Sequence, residues 1–246
     1  MSISTPLNFR PLNPLRRGAY LQHCIYRSSA FSSTTGASAT ITSHEISAFS
    51  GEIRWYVNLC SIEESSRMVP STMWLGQFRR IDIPIEVPWC ESASAKPTAQ
   101  DYAAWYESML DICGASFAKA FYVVASAAVD GVVFACRHGK DRTGLLAAAI
   151  LEAAGTSRKL ILEDYAKSGA ALLLNAHTFA ESWKKRGISR EDYAQRFSLG
   201  DSPLRCLYSR IGRGTETPIL DAIAGAAPLD LGFQTALKSV RAMSIY

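Results

Sequence analysis

The sequence has no C-x-x-C pair, although its 246 residues include six cysteines. Cysteines at that spacing are typical of zinc sites and of dithiol redox sites. The sequence therefore predicts no metal and no other cofactor. Scattered cysteines in a chain of this length are more often small buried residues than disulfide partners, so we expect a reducing, cytoplasmic setting.

Long hydrophobic runs are also missing. A membrane-spanning helix needs about 20 predominantly apolar residues, and the apolar segment 121–129 is much shorter. We therefore expect no membrane span.

Acidic side chains are absent from residues 1–44, which contain four arginines and many serines and threonines. This composition resembles that of an organellar transit peptide. The same region also has a folded interpretation, because residues 19–26 have strand propensity and partial alternation. Both interpretations stay open, and the folded one is favoured.

Net charge is low, since 26 basic and 22 acidic side chains give +4. This balance suits an anionic substrate, but it lacks the clustered basic stripe that nucleic-acid binding usually needs. We expect no nucleic-acid partner. With 48% hydrophobic residues the chain can bury a full core, and we predict one domain over residues 1–246.

Strand signals dominate the first half of the chain and helix signals the second. The spacing of apolar residues predicts strands at 20–27, 53–59, 80–87 and 131–135. It predicts helices at 98–128, 143–154, 157–168, 170–185, 189–197, 218–224 and 233–243. This order predicts an α/β fold, with a central mixed sheet flanked by helices and a helical C-terminal half.

The most specific pattern is the Cys136 loop, which comprises residues 136–142. It joins the predicted strand 131–135 to the predicted helix 143–154, and five residues separate Cys136 from Arg142. Such a loop can wrap an anion with backbone N–H groups while the arginine fork closes over two oxygens. Backbone dipoles and nearby cations lower the pKa of a cysteine and favour its thiolate. The pattern predicts phosphoryl transfer to Cys136.

Other residues of the loop have predicted supporting roles. Arg137, His138 and Lys140 supply positive charge, and Gly139 permits a sharp turn. Thr143 can hydrogen-bond the thiolate or help the sulfur to leave. Several cations favour substrates with charge beyond the scissile phosphate, such as a phosphoinositide, a nucleotide or an acidic sugar phosphate, and predict affinity that weakens as salt rises.

Residues 136–144 resemble the signature loop of the cysteine-based tyrosine-phosphatase superfamily. The ending Gly-Lys-Asp-Arg-Thr-Gly is most similar to that of the atypical bacterial tyrosine- and lipid-phosphatase family. Four other segments resemble elements of that family: Asn-Phe-Arg at 8–10, Tyr-Arg-Ser-Ser at 26–29, Val-Asn-Leu-Cys-Ser at 57–61 with Glu63, and 160–168 with its Asp-Tyr-x-x-Ser.

The resemblance implies a tyrosine-phosphatase-like fold and a metal-independent phosphatase. It also implies that Asn8, Arg10 and Arg27 help to bind phosphate or substrate. The sequence departs from the family at Ala135, where a histidine usually precedes the nucleophile. Asn58 and Cys60 likewise replace a charged pair, and Pro11, Asn13 and Pro14 replace an acid-Leu-Gly-Gly run.

A general acid must protonate the leaving oxygen, and three aspartates are candidates. The resemblance implies that Asp141, inside the loop, can serve. Asp101 lies upstream at a separation like that of the mobile-loop aspartate of conventional relatives, and Asp82 alternates out of a strand. We favour Asp141, with Asp101 as the alternative. Lys140 and Arg142 should keep the pKa of Asp141 low until a substrate dianion raises it.

Three functions remain open. The favoured one is hydrolysis, through a cysteinyl-phosphate intermediate, of phosphotyrosine, phosphoserine, phosphothreonine, a phosphoinositide or another polyanion. The second is hydrolysis of a small nucleotide or sugar phosphate. The third is an inactive phosphate-binding module, which Ala135 makes conceivable. A phosphotyrosine pocket would need an aromatic wall, for which Phe9, Tyr26 and Trp89 are candidates.

Overall fold

The computed structural model describes residues 3–5, 8–12, 25–30, 39–41, 53–67, 78–86, 96–185, 187–212, 214–227 and 230–243. Its strands are β1 (Ile3–Thr5), β2 (Arg10–Pro11), β3 (Ile25–Ser29), β4 (Ala39–Ile41), β5 (Trp55–Asn58), β6 (Arg79–Asp82) and β7 (Val132–Cys136). Among the described residues, five strands form the central sheet, in the order β2-β3-β7-β5-β6. Strands β3, β7, β5 and β6 are parallel and β2 is antiparallel to β3, while β1 and β4 form a separate antiparallel pair.

Helices occupy most of the chain after β6. They are α1 (Ile62–Arg67), α2 (Ala99–Ala127), α3 (Asp141–Ala153), α4 (Arg158–Leu174), α5 (Ala180–Lys185), α6 (Arg190–Gln195), α7 (Ser202–Ile211), α8 (Pro218–Ala226) and α9 (Leu231–Met243). Short 3-10 turns cover Ala128–Asp130 and Ala176–Phe179. The predicted mixed sheet with flanking helices and a helical C-terminal half is confirmed.

Strand β7 is the centre of the fold, and all five of its residues are buried. Val132 and Phe134 join the main core with α2 and α3, whereas Val133 and Ala135 pack into a second cluster with Tyr56. Alternate residues of a strand point to opposite faces, so a strand covered on both faces is apolar throughout. This packing on both faces fixes the position of Cys136, the last residue of β7.

Helix α2 is the longest helix, and it begins with a capping box between Thr98 and Asp101. It packs against α3, α7, α8 and α9. The span Ala99–Asp130 is long and apolar enough to cross a membrane by length and composition, which qualifies the expectation from the sequence. However, 56% of its most apolar window is buried inside the protein, as is usual for a core helix.

Some predicted boundaries differ from those observed. The predictions omitted α1 and α7, and they divided α4 at residue 169. Gly169 does not break the helix; a Cβ there would lie 2.5 Å from the Phe197 carbonyl oxygen, so glycine permits close packing. Residues 83–86 follow β6 outside any strand, and residues 20–24 and 87 of the predicted strands lie outside the described residues. The single domain over residues 1–246 stays a prediction.

Candidate active site

The Cys136 loop turns from the end of β7 directly into the start of α3. Cys136 is the last residue of the strand and its surface is 2% exposed. Its backbone N–H donates to Thr143 Oγ1 at 2.8 Å, so the first turn of α3 holds the strand end. The Cys136 carbonyl accepts from the Gly139 N–H at 3.2 Å, and the Lys140 carbonyl accepts from the Gly144 N–H at 2.7 Å. The cysteine therefore lies beside the N-terminus of a helix, which favours anions.

Gly139 is required by both the shape of the loop and its surroundings. Its φ is +65°, a region that residues with a Cβ rarely adopt. A Cβ at this position would lie 2.5 Å from the carbonyl carbon and oxygen of Ser28, at the end of the neighbouring strand β3. The predicted turn at Gly139 is therefore present, and it lets the loop pack against β3.

Arg142 forms a bidentate ion pair with Glu64. Its Nη1 and Nη2 donate to the carboxylate at 2.6 and 2.9 Å, and Nη1 also lies 3.3 Å from the Leu59 carbonyl. Burial alone would raise the pKa of Glu64, but the Arg142 guanidinium lowers it to about 2. A guanidinium carries five N–H donors. The Nε atom of Arg142 makes no hydrogen bond to the residues that the structure describes, so the side of the guanidinium that carries Nε can receive a phosphate.

Glu64 is held in place by the first turn of α1. The Ser61 N–H donates to Glu64 Oε2 at 2.9 Å, and the Glu64 N–H donates to Ser61 Oγ at 3.1 Å. This is a capping box, whose S-x-x-E signature is visible in the sequence. The sequence predictions missed Glu64, although the signature predicts a helix start that would fix its direction.

Asp141 and Lys140 form a second ion pair. Lys140 Nζ lies 2.9 Å from Asp141 Oδ1, and the Tyr106 hydroxyl donates to the same oxygen. Burial would raise the pKa of Asp141, but Lys140 and the hydrogen bond from Tyr106 lower it. The direction agrees with the prediction, and Tyr106 acts in the place expected for Arg142. Lys140 is fully buried and lies over the Tyr102 ring, so its charge faces the protein interior.

Arg27 and Arg10 support the loop through helix α4. Arg27 has no exposed surface; it forms an ion pair with Asp164 and donates to the Gly139 carbonyl at 2.9 Å. Arg10 Nε donates to Asp164 Oδ1 at 3.1 Å, and Asn8 Nδ2 donates to the His138 carbonyl at 2.7 Å. The resemblance implied that Asn8, Arg10 and Arg27 bind phosphate or substrate. In the structure, most of their donors bond to loop carbonyls, Asp164 and Ser168, and their role in binding phosphate stays a prediction.

Comparisons with known proteins place the chain in a family. Residues 1–216 match the family model described as "Tyrosine phosphatase family". The chain belongs to the tyrosine phosphatase family. A relative from Nostoc commune, named tyrosine-protein phosphatase, is 31% identical over 108 residues, which are 44% of this chain and 34% of the relative. The chain thus spans about a third of the length of the curated relative that it matches.

One solved structure also matches this chain. It is the crystal structure of a cysteine-to-serine variant of P. aeruginosa TpbA in complex with pTyr. The match covers 81% of this chain and 96% of that chain, with 15% identity and a TM-score of 0.36.

Two of the predicted cations of this tyrosine phosphatase loop, His138 and Arg137, contact residues of the helical C-terminal half. His138 lies in an aromatic cluster, 4.7 Å from the Phe179 ring centroid, and its Nε2 lies 2.9 Å from the Tyr193 hydroxyl. Burial lowers the pKa of His138 to about 3, so the ring is neutral at pH 7. Arg137 Nη2 donates to Ser182 Oγ at 2.6 Å. With Lys140 also turned inward, all three predicted cations have partners inside the protein.

The other aspartates have structural partners. Asp101 caps α2 through the Thr98 N–H and hydroxyl, both at 2.8 Å. Asp82 ends β6, where it accepts from Asn58 at 2.7 Å and from Arg80. Within the part of the chain that the structure describes, neither forms a hydrogen bond or an ion pair with the loop, and a role for Asp101 as the acid stays a prediction.

The remaining candidates are apolar contacts. Phe9 stacks on Tyr26, with ring centroids 5.4 Å apart, and Tyr26 is buried in the cluster that also holds Ala135. Trp89 lies outside the described residues. Among those residues, no group of histidines, cysteines and carboxylates could hold a metal ion.

Proposed function

We propose that this protein is a cysteine-dependent phosphatase whose substrates are aryl phosphates of the phosphotyrosine type. The single observation that carries the proposal is that Cys136 and Arg142 both lie at the N-terminus of α3, where Glu64 holds Nη1 and Nη2 of Arg142 and its Nε makes no hydrogen bond to the described residues. A phosphate at this Nε would lie beside the sulfur and the loop. Membership of the tyrosine phosphatase family supports the same chemistry.

The proposed reaction has two displacements at phosphorus. Cys136 Sγ, as thiolate, attacks the phosphorus and the bond to the leaving oxygen breaks, while Asp141 gives that oxygen a proton. Water then attacks the cysteinyl phosphate, Asp141 accepts its proton, and the thiolate leaves. Arg142 stabilises the charge that develops on the phosphoryl oxygens. Thr143 accepts from the Cys136 N–H, which leaves its hydroxyl proton available to the departing sulfur.

The substrate class rests on the relative and on the loop charges. The Nostoc commune relative is named a tyrosine-protein phosphatase. Lys140, Arg137 and His138 are each engaged within the protein, so they offer little to a second phosphate group. A monoester with one phosphate therefore suits the loop better than a polyphosphorylated lipid.

Hydrolysis of p-nitrophenyl phosphate in EDTA tests the proposal. We expect wild-type activity that vanadate inhibits, loss of activity in Cys136→Ser, and retention in Cys206→Ser, which alters a free cysteine on α7. If wild type and Cys136→Ser were equally inert but both bound phosphate, the protein would be a phosphate-binding module. A panel of phosphotyrosine peptides, phosphoinositides, nucleotides and sugar phosphates, ranked by kcat/KM, tests the substrate class.

A further inference from the structure

Asp141 is held through one of its two carboxylate oxygens. We propose that Tyr106, Lys140 and Tyr165 are positioning residues that fix Oδ1 of Asp141 and leave Oδ2 to carry the proton for the leaving oxygen. The inference rests on the proposed phosphatase function, in which Asp141 is the acid. It assigns to Lys140 of the Cys136 loop, and to two tyrosines outside the loop, the selection of the oxygen that reacts.

The described hydrogen bonds of the Asp141 carboxylate are all accepted by one of its two oxygens. Oδ1 accepts from the Tyr106 hydroxyl and from Lys140 Nζ at 2.9 Å. Oδ2 receives no hydrogen bond from the residues that the structure describes. The Asp141 side chain is 18% exposed, which gives the carboxyl access to the solvent side of the loop.

The directions of the hydrogen bonds follow from the chemistry of the groups. The Lys140 ammonium only donates and the Asp141 carboxylate only accepts. The Tyr106 proton therefore goes to Oδ1, which means that the Tyr165 hydroxyl, 2.5 Å away, donates to Tyr106. Tyr165 in turn accepts from Lys140 at 2.9 Å. Each hydroxyl proton in this chain of bonds has one acceptor.

This pattern decides where a proton can sit on Asp141. A proton on Oδ1 would crowd the Tyr106 hydroxyl and the Lys140 ammonium, which both donate to this oxygen, and would weaken their hydrogen bonds. A proton on Oδ2 leaves both in place, because Oδ1 still accepts. The acid form of Asp141 therefore carries its proton on the oxygen that is free to meet a substrate.

The support is rigid because its members are buried and come from separate elements. Tyr106 belongs to α2, Tyr165 to α4 and Lys140 to the loop, and all three side chains are almost fully buried. Lys140 Nζ also lies 4.6 Å from the centroid of the Tyr102 ring, which adds a cation–π contact. A carboxylate fixed by packed groups keeps its orientation during the reaction.

The same contacts set the pH range in which Asp141 is protonated and can act as the acid. The titratable groups that act on Asp141 are Lys140 and His138 from the loop, Tyr106 and Tyr102 from α2, and Tyr165 from α4. His138 is neutral at pH 7, and Lys140 and Tyr106 lower the pKa of Asp141 against the effect of burial. Removal of the Tyr106 hydroxyl should raise that pKa, so the acid form should persist to higher pH.

The test compares the pH profiles of kcat/KM in wild type, Tyr106→Phe and Tyr165→Phe, with phenyl phosphate and p-nitrophenyl phosphate. A hydrogen bond to a charged group shifts the protonation equilibrium of that group by about tenfold or more. The high-pH limb of the profile is the range in which kcat/KM falls because Asp141 loses its proton. We expect this limb to move up by about one pH unit in Tyr106→Phe. The shift should be smaller in Tyr165→Phe. Tyr208→Phe, which alters a buried tyrosine on α7, is the control and should leave the limb unchanged.

Two further measurements distinguish a failure of the positioning role from a failure of the proposed function. Asp141→Asn should remove the limb and slow phenyl phosphate more than p-nitrophenyl phosphate, because the poorer leaving group needs the proton more. The carboxyl carbon of Asp141, titrated by NMR in Cys136→Ser with and without Tyr106→Phe, reports the same shift without turnover. An unchanged titration and limb in folded Tyr106→Phe would overturn the positioning role while the phosphatase stands. An inert wild type would instead overturn the proposed function.

Discussion

The ion pair between Arg142 and Glu64 allows a quantitative prediction for Glu64→Gln. A carboxyl pKa of about 2, against an ordinary value of 4.5, corresponds to about 3 kcal/mol of preference for the ionised form. The two side chains are 14% and 22% exposed, so solvent screening reduces the expected loss of unfolding free energy to about 2 kcal/mol. Glutamine keeps the shape of the side chain but removes the charge that orients the guanidinium.

The same substitution should slow the reaction. If the whole of that ~2 kcal/mol is lost from the transition state, kcat/KM falls about 30-fold. The assays are hydrolysis of p-nitrophenyl phosphate and urea unfolding. Glu63→Gln is the matched control, because the neighbouring pair of Glu63 with Arg67 is more than half exposed on both sides and should contribute within about 0.5 kcal/mol.

The pH dependence gives an independent check. A carboxylate whose folded pKa is lowered stabilises the protein above its unfolded pKa, and this contribution is lost as the pH falls through the folded pKa. The stability difference between wild type and Glu64→Gln should therefore be full at pH 7 and should shrink between about pH 5 and pH 2. Equal kcat/KM and equal unfolding free energy at pH 7 in the two proteins would refute the reasoning.

Three other perturbations probe the surroundings of the loop. Gly139→Ala should cost at least about 2 kcal/mol of unfolding free energy and should abolish vanadate binding. The control is Gly155→Ala, which has a similar positive φ but no atom within 4 Å of the added Cβ, and it should cost only about 1 kcal/mol. Equal costs would contradict the predicted clash. Arg27→Met should cost about 3 kcal/mol in urea unfolding, because it removes a buried partner of Asp164; a neutral effect would contradict the loop-supporting role. Burial lowers the pKa of His138 to about 3, so between about pH 6.5 and 3 this side chain binds a proton only when the protein unfolds. The unfolding free energy of wild type should therefore fall by about 2 kcal/mol from pH 7 to pH 5, and that of His138→Phe should not show this loss.

The predicted fold agrees well with the structure where one element could be recognised from its own residues. Strand β7 is a continuous apolar run, and α2 carries a capping residue and helical spacing, so both were predicted close to their observed bounds. Helix α7 was missed, although Pro203 near its start and the apolar spacing of Leu204, Leu207 and Tyr208 are signals for it.

The predicted site agrees only in part, for a physical reason. A long side chain such as that of Lys140 or Arg137 can reach in several directions from one backbone position, and packing chooses among them. Charge in the sequence therefore predicted a cationic pocket, whereas burial turned Lys140 towards Asp141 and placed His138 among aromatic rings.

The sequence by itself determined the chemistry of the loop, because the spacing of Cys136 and Arg142, the turn at Gly139 and the start of α3 are local features. Tertiary structure alone decided which groups, distant in the sequence, contact the loop and the residues that support it. Glu64 meets Arg142 across 78 residues of chain, Tyr106 meets Asp141 across 35, and Asp164 meets Arg27 across 137. Such pairs form only when β3, α1, α2, α3 and α4 pack together, since ion pairs and buried hydrogen bonds act between neighbours in space rather than in sequence.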